Sequence, residues 1–428
     1  MGLYIAGFGA FFLIMGVPIA FALGLTTLLT AMIWARVPMT LIYQQLYQAV
    51  DNFVLLAIPL FMLAGDLMLR AGIIDDIITL CNVLVGRLRG GLAHVNIVAS
   101  MFFAGITGSA VSDTAALGSI LIPSMRRNGY DADFAVAVTA ASSVIGPIIP
   151  PSIVMVIYGT VVSVSIGGLF AGGMVPGILV GLGLMVVAYM ISKKRDFGYS
   201  RVTYTGRELV RILLRSIPAL MTPVIILGGI FGGVFTPTEA AGVAVTYSLL
   251  VGIVFYRTLN FRNILQAFEE SMVLAASVLL IVAVSGPLAW LVAMDQIPQL
   301  IADIVTSLTT NPLIVLLLIN VFLLLLGSVL DAAVIILIFA PILAPVAAAV
   351  GIDPLHFGII FVLNVIIGLA TPPFGMCLFV GASVGGIAVE RVMKAILPFV
   401  AVEIVVLFLV TYVPDVAMTI PRWFGFAK

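Results

Sequence analysis

The chain has 428 residues, 63% of them apolar and 9% charged, against about 45–50% and about 25% in an ordinary soluble domain. Nineteen basic residues balance nineteen acidic ones, which leaves no footprint for nucleic acid. At a mean hydropathy of +1.29 the chain could not cover a soluble surface of this size, so its solvent is lipid and it crosses that solvent many times.

Apolar segments run over 3–35 (with Gly16 and Pro18 inside), 52–69, 91–125, 134–162, 166–192, 217–234, 239–256, 271–292, 311–349, 355–385 and 395–413. Shorter amphipathic stretches lie near 73–87 and 296–308. The runs at 224–235 and 313–326 do not alternate, unlike the strands of about 10 residues in a membrane barrel. Helices satisfy their own backbone in hydrocarbon, so these segments are read as helices. Segments 3–35, 91–125, 311–349 and 355–385 are too long for one straight crossing, and each holds Gly or Pro near its middle. Segment 3–35 has no basic leader and is too long for the core of a signal peptide, so it is expected to stay in the membrane. The most polar stretch, 193–215, carries Lys193, Lys194, Arg195, Arg201, Arg207, Arg211 and Arg215 against Asp196 and Glu208. It reads as a cytoplasmic linker between two halves. Cys81 and Cys377 are too few for a disulfide scaffold or a zinc site. His94 and His356 make a histidine metal centre improbable, lie near segment ends and are expected at the interface. No Gly-Lys-[Ser/Thr] occurs, so there is no phosphate loop for ATP.

The halves align. Asp113 precedes Pro123 by ten residues, as Asp331 precedes Pro341, at an offset of 218. A gapless match at offset 222 then pairs Gly129 with Gly351, Asp131 with Asp353, Gly146 with Gly368, Pro150-Pro151 with Pro372-Pro373, Gly159 with Gly381 and Pro176 with Pro398. Such backbone landmarks in one register indicate a duplication. Charges give its sense. Arg87, Arg89, Arg126 and Arg127 flank segment 91–125 on both sides, so it should enter from the cytoplasm and return as a re-entrant hairpin. Segment 311–349 has no Lys or Arg near either end and should enter from outside. The repeats are therefore expected to be inverted, as in secondary transporters. Arg36 falls on the outer side and counts against the scheme.

Four places break a helix inside the bilayer: 105–114, 142–152, 327–331 and 364–375. Pro removes a donor and Gly permits unwound backbone, which hydrocarbon tolerates only around a cavity or inside protein. Half-helix ends offer carbonyls to a cation and N–H groups to a carboxylate. Hydroxyl, amide and carboxylate oxygens suit a hard ion such as Na⁺. The expected Na⁺ ligands in the first repeat are Gly108, Ser109, Ser112, Asp113, Ser142, Ser143, Gly146 and Pro150. In the second they are Gly327, Ser328, Asp331, Asn364, Gly368, Thr371 and Pro372. The substrate should lie between the two sites, near Thr107, Ser109, Ser152, Ser328 and Thr371. Duller readings stand beside these. The proline pairs could merely kink buried helices, Asp113 and Asp331 could cap the second helix of each hairpin, and Ser142 and Ser143 could be small packing residues. Intramembrane carboxylates default to function, which favours coordination for both aspartates. Glu403 is read as a scaffold hydrogen bond and Asp66 as near-surface.

Phe235-Thr-Pro-Thr-Glu-Ala-Ala-Gly-Val-Ala-Val245, Gly16-Val-Pro-Ile-Ala-Phe-Ala-Leu-Gly24 and the two Gly-x-x-x-Pro-Pro hinges resemble the large, DctM-like membrane subunit of TRAP (tripartite ATP-independent periplasmic) transporters. The resemblance covers essentially the whole chain. It implies Na⁺-driven uptake of an organic acid across a bacterial inner membrane, with sialic acid and C4-dicarboxylates equally open. It also implies a periplasmic substrate-binding protein, a small four-helix membrane subunit as separate partner, and an elevator mechanism in which a transport domain slides against a scaffold.

The expected fold is thus an all-α polytopic membrane protein with two inverted repeats, re-entrant hairpins and broken helices. Residues 1–90 and 217–310 supply scaffold and arm helices of the two repeats. Residues 91–162 and 311–386 supply the transport domain, 163–192 a scaffold helix, 193–216 the cytoplasmic linker, and 387–428 a last scaffold helix with a periplasmic C-terminus. Two or more Na⁺ ions are the expected coupling ions, with no organic cofactor. A proton-coupled organic-anion transporter, or an anion channel independent of a binding protein, is the rival. A membrane enzyme would want a nucleophile with its base or clustered histidines and carboxylates, and neither is present.

Overall fold

The computed structural model describes residues 1–35, 37–198, 204–309 and 311–427. Its described residues form twenty α-helices and no strand, and seven helices are long and apolar enough to cross a membrane. Helices α1 (Gly2–Ile14) and α2 (Ile19–Thr30) part at Gly16, where φ is +75°. A π-helical turn (Ala31–Ala35), α3 (Met39–Val50) and a short 3-10 turn lead to α4 (Ala57–Arg70) and the amphipathic arm α5 (Ile73–Val85). Then come the hairpin α6 (Gly91–Thr107) and α7 (Ala110–Arg127), the broken helix α8 (Ala132–Ser143) and α9 (Ile153–Val162), and the long α10 (Ile166–Lys194).

The second half repeats this order. Helices α11 (Gly206–Phe231), α12 (Pro237–Leu250) and α13 (Phe261–Met294) precede the arm α14 (Ile297–Leu308). The hairpin α15 (Pro312–Gly327) and α16 (Ala332–Ala349) follows, then the broken helix α17 (Pro354–Gly368) and α18 (Met376–Gly385), and α19 (Val389–Tyr412). An amphipathic α20 (Asp415–Trp423) ends the fold. All four overlong segments are interrupted as expected. The linker is shorter than expected: α11 begins at Gly206, so Arg207, Arg211 and Arg215 ride on its first turns. Arg201 and Arg36 lie outside the described residues.

Local chemistry explains the starts. The Thr-Pro-Thr-Glu run opens α12 with Thr236 as N-cap, Pro237 at the first position, and Glu239 returning a bond to the Thr236 N–H at 2.8 Å. This capping box satisfies end groups that no water could reach deeper in the membrane. Thr205 and Glu208 do the same for α11. Helices α8 and α17 are buried almost throughout, as helices without a polar face must be. The small residues of α8 let neighbours approach closely.

Ion pairs and hydrogen bonds define two opposite faces. On one, Arg195 at the end of α10 binds Asp131 and Asp133 at the start of α8, and Arg89 before α6 binds Asp196. Arg126 at the end of α7 donates to the Gly385 carbonyl at the end of α18, at 3.1 Å. On the other, Tyr412 at the end of α19 reaches the Leu313 carbonyl at the start of α15, at 3.4 Å. There His356, at the start of α17, meets the Val410 carbonyl at 2.9 Å. The bases of the two hairpins therefore lie on opposite faces, and α10 and α19 run in opposite directions. The repeats are inverted. Packing is reciprocal: α18 lies on α7 as α9 lies on α16, and α19 lies on α8 as α17 lies on α10.

Single cysteines at Arg126 and Asp353, both exposed, test this topology against a background of two buried native thiols. An impermeant maleimide applied from one side should label one position only. Labelling of both from the same side would contradict the inversion.

Candidate functional site

The site grows from two hairpin tips. Helix α6 ends at Thr107, and Gly108 turns the chain at φ +61°. Ser109 caps α7 by accepting from the Ser112 N–H at 3.4 Å. Asp113, one turn on, is fully buried. Its Oδ1 accepts from the Thr107 hydroxyl, and its Oδ2 has no partner. That free oxygen faces the break between α8 and α9: a methyl group at Gly146 would lie 2.2 Å from Oδ2 and 3.1 Å from the Ser143 carbonyl. The tip itself abuts the same break, since a methyl group at Gly108 would lie 2.5 Å from the Pro151 carbonyl. Asp113, Ser143 and Gly146 thus converge, with Gly108 and Pro151 closing the neighbouring contact.

The second tip meets the second break. Gly327 touches Gly368 backbone to backbone, so that a methyl group at Gly368 would lie 2.4 Å from the Gly327 Cα. The Phe374 N–H donates to the Ser328 carbonyl at 3.2 Å. Asp331 caps α16 by accepting from the Ala333 N–H at 2.9 Å. Asn364 donates to the Asn320 side chain and carbonyl at 2.8 and 3.0 Å, which leaves its own Oδ1 buried and unpartnered. The Pro150-Pro151 and Pro372-Pro373 bonds are both cis.

Several expected ligands are engaged elsewhere. Ser142 accepts from Ser100 at 3.0 Å and donates to Asn96 Oδ1 at 3.3 Å, bolting α8 to α6. The Ser143 hydroxyl donates to Thr139, Thr371 to Ile367 and Ser328 to Leu325, each within its own helix turn. Ser152 caps α9 through the Met155 N–H. The 218 offset misjudged one pair. Ser109 and Asp331 are the equivalent N-caps, at the same offset of 222 that joins Ser142 to Asn364 and Gly146 to Gly368. Asp113 has no carboxylate counterpart in the second repeat, where Ile335 stands at that offset.

A cavity of about 400 Å³ opens between the tips and the helices α4 and α13. Thr107, Ser109, Ser112 and Asp331 line it from the tips, with Ile153 beside them. Met62, Gly65, Asp66 and Leu69 of α4 line it opposite, as do Glu270, Ser271, Leu274 and Ser277 of α13. Ser152, Ser328 and Thr371 are not on its wall. The sequence marks neither Asp66 nor Glu270 as a site residue: Asp66 reads as near-surface, and the apolar segment 271–292 starts one residue past Glu270. The signal that could have found them is Asp66 and Arg70 one turn apart in an otherwise apolar helix. His94 and His356 sit in the first turns of α6 and α17, near the two faces, and are buried and bonded to backbone carbonyls there. Glu403 is fully buried with neither oxygen hydrogen-bonded, so it is not the scaffold bond expected of it.

Residues 7–416 match the family model described as tripartite ATP-independent periplasmic transporter, DctM component. The chain belongs to the DctM family. It is 43% identical over 410 residues to the sialic acid TRAP transporter large permease protein SiaM of Vibrio cholerae, covering 96% of each chain. It is 40% identical over 405 residues to the C4-dicarboxylate TRAP transporter large permease protein DctM of Pseudomonas aeruginosa, covering 94% of each. The isethionate TRAP transporter permease protein DctMQ of Oleidesulfovibrio alaskensis is longer; at 40% identity this chain spans 65% of it. Among solved structures, the YdaH transporter of Alcanivorax borkumensis superposes with a TM-score of 0.59 over 91% of this chain and 88% of that one, at 16% identity. That likeness is one of fold. As a DctM-family chain the protein is a multi-pass large permease component of a TRAP transporter, and not an enzyme.

The Gly327–Gly368 contact has a measurable cost. Gly368→Ala places a methyl group against backbone that cannot swing aside, which should destabilise by about 1–3 kcal/mol. Thermal unfolding of the purified protein should show a lower Tm. Gly228→Ala, inside α11 with nothing within 4 Å, should leave Tm unchanged or slightly raised, since Ala favours the helix.

Proposed function

We propose that this permease couples uptake of an organic acid to the Na⁺ gradient, with at least two Na⁺ ions bound where hairpin tips meet broken helices. The observation that carries the reading is the buried Asp113 Oδ2, unpartnered and turned toward Gly146 and the Ser143 carbonyl. A carboxylate in that position needs a cation beside it, and carbonyl and carboxylate oxygens suit an alkali ion. Asn364 Oδ1, buried and open beside the second break, is the corresponding offer in the second repeat. The substrate occupies the cavity lined by Thr107, Ser109 and Ser112. Its class is a carboxylate such as sialic acid or a C4-dicarboxylate, the substrates in the names of two of the three relatives above.

Residues 91–162 and 311–386 form the moving body. Helices α10 and α19, expected in the scaffold, pack on the broken helices and on each other, and on that ground we assign them to the moving body instead. The fixed scaffold includes α4, whose Gly65 lets tip 1 come close: a methyl group there would lie 3.2 Å from the Ile106 carbonyl and 3.3 Å from the Thr107 Cα. Contact through glycine and short side chains is what a sliding surface requires. The face with Arg89, Arg126, Arg195 and Arg215 is cytoplasmic by its charge. This leaves the C-terminus periplasmic in a bacterial inner membrane. A periplasmic binding protein delivers substrate to the opposite face, and a small four-helix subunit completes the scaffold. Each net positive charge moved inward gains about 2.3 kcal/mol per 100 mV, so Na⁺ must outnumber the substrate's negative charges for the potential to help.

Reconstitution with both partners tests this. An inward Na⁺ gradient should drive uptake of sialic acid or succinate, and a pH gradient in Na⁺-free buffer should not. Equal uptake under the pH gradient alone would instead establish the proton-coupled alternative.

A further inference from the structure

The cavity wall is acidic where an organic anion should bind. Asp66, Glu270 and Asp331 all line it. The basic side chain bonded to that wall is Arg70, on the last turn of α4; it stands behind the lining, with Asp66 and Glu270 between it and the cavity. Its Nε donates to Asp66 Oδ2 at 2.9 Å and its Nη2 to Glu270 Oε2 at 2.7 Å. Its Nη1 has only a long contact to Gln266, at 3.5 Å. A guanidinium presents neighbouring N–H groups in a fork matched to one carboxylate. Here two carboxylates from different helices divide that edge.

The two partners are not equivalent. Asp66 lies one turn away on the same helix and is 23% exposed, like Arg70 itself. Glu270 comes from α13 and is 64% exposed. An ion pair with so exposed a partner is weakly held and readily exchanged. The group that Glu270 offers to Arg70 is the same group a carboxylate substrate offers. We propose that Arg70 is a carboxylate-binding residue of this cavity, and that Glu270 is an internal competitor that occupies Arg70 when the cavity holds no substrate. Asp66 keeps the guanidinium oriented during the exchange. The entering anion displaces Glu270 toward solvent, and Glu270 returns when the anion leaves, which favours release. This inference rests on the cavity being the substrate site.

Equilibrium binding of sialic acid and of succinate to the purified permease with its small subunit, at saturating Na⁺, tests the exchange. Arg70→Gln should weaken binding roughly tenfold or more, the loss of one charge-assisted contact. Glu270→Gln should tighten it several-fold, because the competitor is gone. Neither variant should alter the Na⁺ concentration for half-saturation. Tighter binding in Glu270→Gln that disappears when Arg70→Gln is added is the diagnostic result, since loss of a repelling wall charge would tighten binding with or without Arg70. Unchanged affinity in both variants, or equal weakening in both, would overturn the exchange while leaving the cavity as the substrate site. Failure of wild type to bind either acid would overturn the substrate reading and this inference with it.

Discussion

Near the centre of the molecule Gly327 and Gly368 meet backbone to backbone, and Gly108 lies against the carbonyl of Pro151. These contacts answer a constraint set by the solvent. A chain in hydrocarbon cannot leave peptide groups unpaired, yet four of its segments unwind. The unwound ends can persist only against one another. The Phe374 N–H finds the Ser328 carbonyl, and the Cys377 N–H finds Leu369. Glycine at each closest approach removes the Cβ that would hold the backbones apart.

Satisfying the ends in this way also creates the site. Where the backbone is no longer helical, carbonyls point away from the helix axis and become available to an ion. Where a tip abuts a break, the first turn of the following helix brings Asp113 to the carbonyls. The duplicated order places a similar meeting in the other half, and the reciprocal packing of α9 on α16 and α18 on α7 ties the two together. The same inversion puts one hairpin base on each face. That is the geometry an alternating-access protein needs.

Much of this was legible in the sequence. Segment length exposed the four interruptions, because a crossing has a fixed thickness. The arginines at 87, 89, 126 and 127 place both ends of the first hairpin on one face, where the structure has them. The Gly and Pro landmarks gave the register of the broken helices. What was not legible depended on side-chain direction. The hydrogen bonds that orient Ser142 and Ser143 toward Ser100 and the Thr139 carbonyl depend on helix rotation, which residue type alone does not give. Asp113 and Asp331 were equated through one downstream proline, whereas the tips are in register through Ser109. Asp66 reads as near-surface because it lies within a turn of the end of its apolar segment, and Glu270 falls outside the segment that follows because Glu269 and Glu270 together bound it. Glu403 remains buried without a hydrogen-bond partner, and we have no physical account of it.

The central claim is that the unpartnered oxygen of Asp113 is one side of a Na⁺ site. Na⁺ titration of the purified permease by calorimetry, for wild type and for Asp113→Asn, tests it directly. The variant keeps the size of the side chain and removes its charge. Saturable Na⁺ binding in wild type that is lost or strongly weakened in Asp113→Asn is the predicted result. An identical isotherm for the two proteins would contradict the account.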